Sequence, residues 1–180
     1  MKATGIVRRI DELGRVVIPK EIRRTQRIRQ GDELEIFTAP DGEVIFKKYS
    51  PLVEMGELAG IYTGVLSKSL NQPILVCDRD CVVAAAGLAK KEYLDSPIST
   101  ALEKLLAARA VYNAPTDPAR RLRPCERCDK IVLCAAPIVV KGDVEGGVCL
   151  LGDLHDDEPS AEQSRSVGIA AAFLARWMEE

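Results

Sequence analysis

The sequence predicts an α+β protein with three parts: a small β-rich N-terminal unit, a linking helix and a larger α+β domain. Two short hairpin patterns surround one short helix in residues 1–50. Ser50-Pro51 ends this unit, because proline disfavours the helical region for the residue before it, and helical spacing of apolar residues follows over residues 51–72. In residues 73–180, two more hairpin patterns and two helical ones predict one sheet with helices to one side.

The first hairpin of the N-terminal unit is predicted from alternating apolar residues. Residues 4–10 alternate as a strand does, Leu13-Gly14 supplies a turn, and the β-branched run 15–18 predicts the second strand. Pro19 then opens a short helix that extends to about residue 28, since the missing N–H of proline costs nothing in a first turn. A basic residue therefore lies at each end of a rigid strand-and-helix segment.

The second hairpin is predicted by alternation in residues 33–37 and 43–47, around the turn sequence of residues 39–42. A unit of this size, without cysteine or a set of metal ligands, buries too little apolar surface to offset its chain entropy alone. We therefore expect an obligate homodimer in which two copies pair strand to strand and place their basic segments on one side, as two-fold symmetry requires.

Charge divides unevenly along the chain. Residues 1–29 hold nine lysines and arginines but three acidic residues, a net charge of +6, whereas the whole chain carries −2, so the remainder carries −8. A basic end on an acidic protein predicts a partner that is a polyanion. The alternative is a merely solvated basic surface.

The linking helix, residues 51–72, carries two apolar stripes. One contains Leu52, Met55 and Tyr62, and the other contains Ile61 and Val65. One of the two stripes is predicted to pack on the C-terminal domain and the other on a partner chain. Glycines at positions 56, 60 and 64 each cost about 1 kcal/mol of helix propensity, which favours either close backbone contact or a flexible connector.

The C-terminal domain is predicted from residues 73–180. Runs 73–77 and 81–86 form one hairpin, Ser96-Pro97 starts a helix, and runs 131–140 and 144–151 form the second hairpin. Residues 160–180 are predicted to be a terminal helix whose inward side chains are Val167, Ala170, Ala171, Leu174 and Met178.

Several segments together resemble a known family. MKATGIVRRIDELGRVVIPKEIRR, GDELEIF and DGEVIFKKY resemble the swapped-hairpin DNA-binding domain of the AbrB-type transition-state regulators of endospore-forming bacteria, and SPLVEMGELAG and AAAFLARWMEE resemble members with a second domain. The likeness is close over residues 1–52, clear at 73–80 and 168–180, and weak over about 110–130. One departure is Gln26, where relatives usually carry leucine and where we expect the inner face of the helix.

This resemblance implies an interleaved, dimeric swapped-hairpin β-barrel joined by a helix to a C-terminal GAF-like α+β domain, in a homodimer or homotetramer. It also implies a transcription regulator of sporulation genes, either an activator or a repressor, whose DNA contacts are made by Arg8, Arg15, Arg23 and Arg24. Domains of the GAF type often bind small molecules, so an unidentified small-molecule effector is a further expectation, by analogy alone.

The loop over residues 111–130 contains Cys125-Glu126-Arg127-Cys128, with Cys134 close behind. This spacing suits three readings: inert thiols, a redox dithiol, or half of a zinc site that gives a thiol- or metal-responsive regulator. The six cysteines are irregularly spaced, which indicates thiols of a reducing compartment instead of a disulfide framework. His155 follows a strand end and is expected to face water. The sequence therefore names no cofactor and no metal ligand.

No constellation for catalysis is present in the sequence. It has one histidine, no nucleophile paired with a base and no phosphate-binding glycine motif, so we do not expect an enzyme. An antitoxin-like module that binds both DNA and a protein toxin remains the alternative function. The longest apolar runs are far shorter than the roughly 20 residues of a membrane span, and no export signal precedes the first strand, so we expect a cytoplasmic protein without a membrane partner.

Overall fold

The hairpin predicted for residues 33–47 is confirmed in the structure, a computed structural model that describes residues 4–126 and 128–179. The chain divides into two units at the Tyr49–Ser50 junction. In the N-terminal unit, helix α1 (Lys20–Thr25) precedes strands β1 (Leu34–Thr38) and β2 (Val44–Lys48), which pair antiparallel.

The strands predicted for residues 4–10 and 15–18 do not form within one chain. Both segments lack regular structure and are joined through the hydrogen bond from Asp11 N to Arg15 O, 3.0 Å. Their apolar side chains stay outside, with Val7 83% and Ile10 72% exposed. Alternation alone is insufficient, because a strand needs a neighbour for its backbone N–H and C=O groups. Helix α1 also ends earlier than predicted, and Gln26, expected on its inner face, is exposed.

The C-terminal unit is a five-stranded antiparallel sheet with helices around it. Its order is β4-β3-β7-β6-β5. The strands are β3 (Ile74–Asp78), β4 (Val82–Ala86), β5 (Tyr112–Asn113), β6 (Ile131–Val140) and β7 (Asp143–Gly152); the helices are α2 (Pro51–Glu54), α3 (Gly56–Leu70), α4 (Lys90–Tyr93), α5 (Thr100–Ala107), a 3₁₀ turn (Pro118–Arg120) and α6 (Ala161–Trp177). Both predicted hairpins of this domain are therefore present.

The sheet separates two apolar cores, which corrects the prediction of helices on one side. Along β3, Ile74 and Val76 join a core with α2, α3 and α6, whereas Leu75 and Cys77 join a second core. Successive strand residues point to opposite faces, so the two cores lie on opposite faces of the sheet. The second core also contains Leu102 and Leu106 of α5, which places helices on both sides.

Two helices of this unit, α5 and α6, begin directly after a serine whose hydroxyl caps the first turn. Helix α5 begins after Ser99 and not at Ser96-Pro97 as predicted, because the Ser99 Oγ accepts a hydrogen bond from Leu102 N, 3.1 Å. Helix α6 begins after Ser160, which forms a capping box with Gln163. The inward residues predicted for the terminal helix are confirmed: Val167, Ala170, Ala171 and Leu174 are buried and Met178 is partly buried.

The linking helix predicted over residues 51–72 is divided at Met55 into α2 and α3, and one of its two apolar stripes packs on the C-terminal domain as predicted. Leu52 and Ala59 are fully buried, and Met55, Tyr62 and Leu66 pack against the same core. The neighbouring stripe is exposed, with Ile61 60% and Val65 58% accessible. No helix in the described part of the chain is both long and apolar enough to cross a bilayer.

Candidate nucleic-acid interface

A tight turn presents Arg15, one of the four arginines expected to bind DNA. Gly14 adopts a positive φ of 76°, and its N–H donates to Asp11 O, 2.9 Å. The Asp11 carboxylate closes the turn, with Oδ1 accepting from Leu13 N at 3.0 Å and from Arg15 N at 2.8 Å. Aspartate at the first position and glycine at the fourth are favoured in such turns.

Asp11 also holds the Arg15 guanidinium. Arg15 Nε donates to Asp11 Oδ2 at 2.8 Å, while the Arg15 side chain remains 71% exposed. The backbone N–H of Arg15, followed by its guanidinium, lowers the pKa of Asp11. A lowered carboxyl pKa means that this contact is complete at neutral pH and is lost only as the pH falls through the acidic range. Asp11 is therefore a positioning residue for Arg15.

Helix α1 presents Arg23 and Arg24. Pro19 precedes the helix and is buried, its carbonyl accepts from Arg23 N at 2.9 Å, and both arginines lie exposed in the last turn. Consecutive positions on a helix differ by about 100°, so the two guanidinium groups leave the helix in different directions.

A lysine from β2 fixes the chain after α1. Lys48 Nζ donates to Arg27 O at 2.8 Å and forms an ion pair with Asp32 Oδ2 at 3.1 Å. The Asp32 side chain is 2% exposed and also accepts from Arg29 N, 2.8 Å. Because the Asp32 carboxylate is buried, loss of Lys48 would leave an uncompensated charge in the interior. The pair ties the end of the helix to the hairpin.

The remaining arginine, Arg8, is exposed on the extended segment before the turn. Its guanidinium donates a hydrogen bond to Val7 O at 3.0 Å. The structure thus brings Arg23 and Arg24 together on one helix, places Arg15 at the turn before it, and leaves Arg8 on the unpaired segment. Sequence reasoning missed Asp11 and the Lys48–Asp32 pair. The Asp-x-x-Gly turn pattern could have found the first, but no short-range signal marks the second.

We expect the Asp11→Ala variant to weaken DNA binding although it removes a negative charge. Loss of the turn and of the Arg15 anchor should raise the dissociation constant about tenfold, the equivalent of one hydrogen bond to a charged group. The matched control is Glu12→Ala, which removes the same charge from an exposed neighbour and should leave binding equal or tighter. Fluorescence anisotropy on duplex DNA measures both, and equal tightening in the two variants would rule out the positioning role.

The cysteines and the histidine that the sequence singled out as candidate site residues lie in the C-terminal unit. Cys125 and Cys128 are joined by a disulfide, and Cys77, Cys134 and Cys149 are buried thiols on strands. Among the described residues, no three histidine, cysteine or acidic side chains converge as metal ligands. His155 is exposed, as expected, and lines a groove of about 460 Å³ with Arg121.

Arg121 connects the backbone segments around this groove. The Arg121 guanidinium donates to the carbonyls of Pro115, Leu154 and Asp156 at 3.0, 3.0 and 2.6 Å. These contacts use three of the five N–H donors of the guanidinium, and three of the other six lining residues, Asp156, Asp157 and Glu158, are acidic.

Two family models match the chain in succession. Residues 7–52 match the model described as antidote-toxin recognition MazE, bacterial antitoxin, and residues 54–179 match the model described as stage V sporulation protein T C-terminal, transcription factor. The boundary between the two matches falls within a few residues of the junction between the two structural units.

Known proteins show the same division. The chain is 47% identical to stage V sporulation protein T of Bacillus subtilis (strain 168) over 181 residues, with full coverage of both. It is 61% identical to the N-terminal DNA recognition domain of the B. subtilis regulator AbrB, covering 28% of this chain and 94% of that one with a TM-score of 0.25. The GAF domain of an Acinetobacter phosphoenolpyruvate-protein phosphotransferase is 11% identical, covers 73% of this chain and 84% of that one, and has a TM-score of 0.56, which is a likeness of fold.

Proposed function

Because the chain belongs to the stage V sporulation protein T family of DNA-binding transcription regulators, we propose that it binds double-stranded DNA through Arg8, Arg15, Arg23 and Arg24 of two paired N-terminal units. The observation that carries this proposal is the exposed set of guanidinium groups on a turn and a helix end that are both held rigidly.

Arginine suits this role better than lysine. The guanidinium is permanently charged and offers forked donors to two phosphate oxygens or to the edge of guanine in the major groove. A fixed turn and a fixed helix end reduce the conformational entropy lost on binding. Contacts to phosphate give affinity and register, whereas base contacts give specificity, so the target sequence is set by the few arginines that reach into a groove.

Salt dependence tests this function in the intact protein. If each of two protomers neutralises four phosphates, the logarithm of the association constant should fall with log salt at a slope of about −7. Anisotropy titrations on promoter and scrambled duplexes at several salt concentrations measure that slope. A slope near zero, or no binding at low salt, would refute DNA binding by the arginine set.

The paired state itself is part of the proposal. The extended segment of residues 4–10 has neither a strand partner nor cover for its apolar side chains, and a hairpin such as β1–β2 is marginal alone. A second copy supplies strand neighbours for both chains and buries the exposed residues Val7, Ile10, Val16 and Val17. A homodimer through these units satisfies both needs.

A second self-contact lies on the other unit. Ile61 and Val65 of α3 and Ile169 of α6 are each 58–60% exposed, and Phe173 of α6 stacks on Tyr62 with ring centroids 4.8 Å apart. Gly60 and Gly64 of α3 have nothing within 4 Å of where a Cβ would lie. Such a smooth apolar helix surface admits a close helix from a second dimer and supports a homotetramer.

Sedimentation equilibrium tests the two contacts separately. We expect four copies for the unaltered chain and two for Val65→Lys, because a charge in the α3 surface costs more than the contact gains while the N-terminal pairing is untouched. Lys68→Ala, an exposed change on the same helix, is the matched control and should remain tetrameric. A monomer at micromolar concentration in the unaltered chain would contradict the whole assembly.

We also propose that the GAF-like domain modulates DNA binding in response to a signal, since a separately folded sheet domain is not needed for the arginine set to form. The match of residues 7–52 to an antitoxin model keeps toxin binding as a second candidate. The transcription-factor model covers residues 54–179, which favours regulation. Capture of a specific toxin by the full chain, with loss of its toxicity, would favour the second candidate.

A further inference from the structure

Two cysteines form a disulfide in the segment of the C-terminal unit that contacts the start of α5. Cys125 and Cys128 have Cα atoms 5.3 Å apart, within the usual disulfide range, and are 3% and 4% exposed. Their side chains belong to the second core with Tyr93, Ile98 and Leu102. The pair therefore lies between the surface loop and the apolar interior of this unit.

The backbone next to the pair is bonded to the start of α5. Cys125 forms an antiparallel bridge with Ile98, and Ser99 N donates to Pro124 O at 2.8 Å. Ser99 Oγ donates to Arg123 O at 2.6 Å and also caps α5. The hydroxyl that begins the helix is thus held by the residues that precede the disulfide.

The other end of the pair is held as well. Arg123 Nη1 donates to Cys128 O at 3.1 Å, so the two flanks of the disulfide are joined to each other. Tyr93 donates its hydroxyl to the carboxylate of Asp129, the next residue. Burial, followed by this hydrogen bond, raises the pKa of Tyr93 to about 12, so Tyr93 stays a donor throughout the neutral range. The segment that holds the disulfide is therefore hydrogen-bonded both to Tyr93 and to the start of α5.

Two buried thiols of the sheet, Cys134 and Cys149, are less suited to exchange. Burial raises the pKa of Cys134 to about 11, and contact with Cys77, followed by burial, raises the pKa of Cys149. The thiolate is the reactive form, so these strand cysteines react slowly. In contrast, the exposed residues Arg123, Glu126 and Asp129 place the backbone around the pair at the surface, where a local opening can admit a small reactant.

We propose that Cys125 and Cys128 are a redox-active dithiol that low-molecular-weight disulfides oxidise, and that the resulting bridge fixes this segment onto the start of α5. One cysteine sulfur attacks the small disulfide RS–SR, that bond breaks, and one RSH leaves with the proton of the cysteine. The second cysteine sulfur attacks the mixed disulfide and releases the second RSH. The protein loses two protons and two electrons, and the small disulfide gains both.

Counting thiols across a redox series tests the first part. The full chain is equilibrated with mixtures of reduced and oxidised glutathione, quenched in acid, denatured and alkylated with N-ethylmaleimide. Six labels are expected in reducing mixtures and four in oxidising ones, with both lost labels mapped to Cys125 and Cys128. Cys81→Ser, the control, should change from five to three. Six labels in the most oxidising mixture, stable glutathione adducts, or a bridge that uses another cysteine would each overturn the proposal.

Hydrogen exchange tests the second part on the unaltered protein, so it does not depend on a variant that fails to fold. Amides of residues 93–103 should exchange about tenfold more slowly in the oxidised form than in the reduced form, as expected for a local opening that the bridge suppresses. Amides of β7, distant in sequence and central in the sheet, should not change. Equal exchange of residues 93–103 in the two forms would show that the bridge does not hold α5.

Discussion

Replacing Arg15 or Arg23 by alanine lowers the affinity for duplex DNA by about 100-fold or more. Each protomer loses one charge-assisted hydrogen bond, worth about 1.5–3 kcal/mol, and a dimer loses two. The salt slope should fall from about −7 towards −5, because two fewer phosphates are neutralised. Both side chains are exposed, so thermal unfolding should be nearly unchanged.

Two further variants separate charge from geometry. Arg15→Lys keeps the charge but not the fork, so the slope should be retained while affinity falls about tenfold. Arg165→Ala removes an exposed charge from α6 of the other unit and should leave both quantities unchanged. Wild-type affinity for Arg15→Ala and Arg23→Ala together would disprove the assigned interface.

The Gly146→Ala variant destabilises the C-terminal unit by about 3 kcal/mol or more. A Cβ at this position would lie 2.1 Å from the carbonyl oxygen of Cys77 and 2.6 Å from Leu52 Cδ1. Gly146 pairs with Asp78 of β3, so the added methyl group forces β3 and β7 apart at the centre of the sheet. Overpacking against a backbone atom is costly because the atom cannot change rotamer.

Thermal unfolding followed by the fluorescence of Trp177, the one tryptophan of the chain, reports on this unit. The midpoint temperature should fall by about 10 °C at fixed protein concentration. Gly168→Ala is the matched control: it lies in α6 with nothing within 4 Å of the added atom and should stabilise by about 0.5–1 kcal/mol. Equal unfolding curves for the two variants would contradict the packing of β3 on β7.

Several features of this protein could be predicted from local sequence alone. The β1–β2 hairpin, both hairpins of the sheet, the inner stripe that includes Leu52 and the buried face of α6 follow from periodicity and turn residues. These signals are local, because alternation and helical spacing report which side of an element faces a core. The difference in net charge between residues 1–29 and the rest of the chain also follows from the sequence alone.

The tertiary structure decided what depends on partners distant in sequence. The strand patterns of residues 4–10 and 15–18 form no ladder in one chain, because strand formation requires a neighbour that the pattern cannot supply. Three other features depend on partners distant in sequence and so could not be predicted. They are the Lys48–Asp32 pair, the placement of helices on both sides of the sheet, and the contact of the Cys125–Cys128 segment with Ser99. Periodicity determines which face of a helix or strand is apolar, whereas the three-dimensional packing determines which element covers that face.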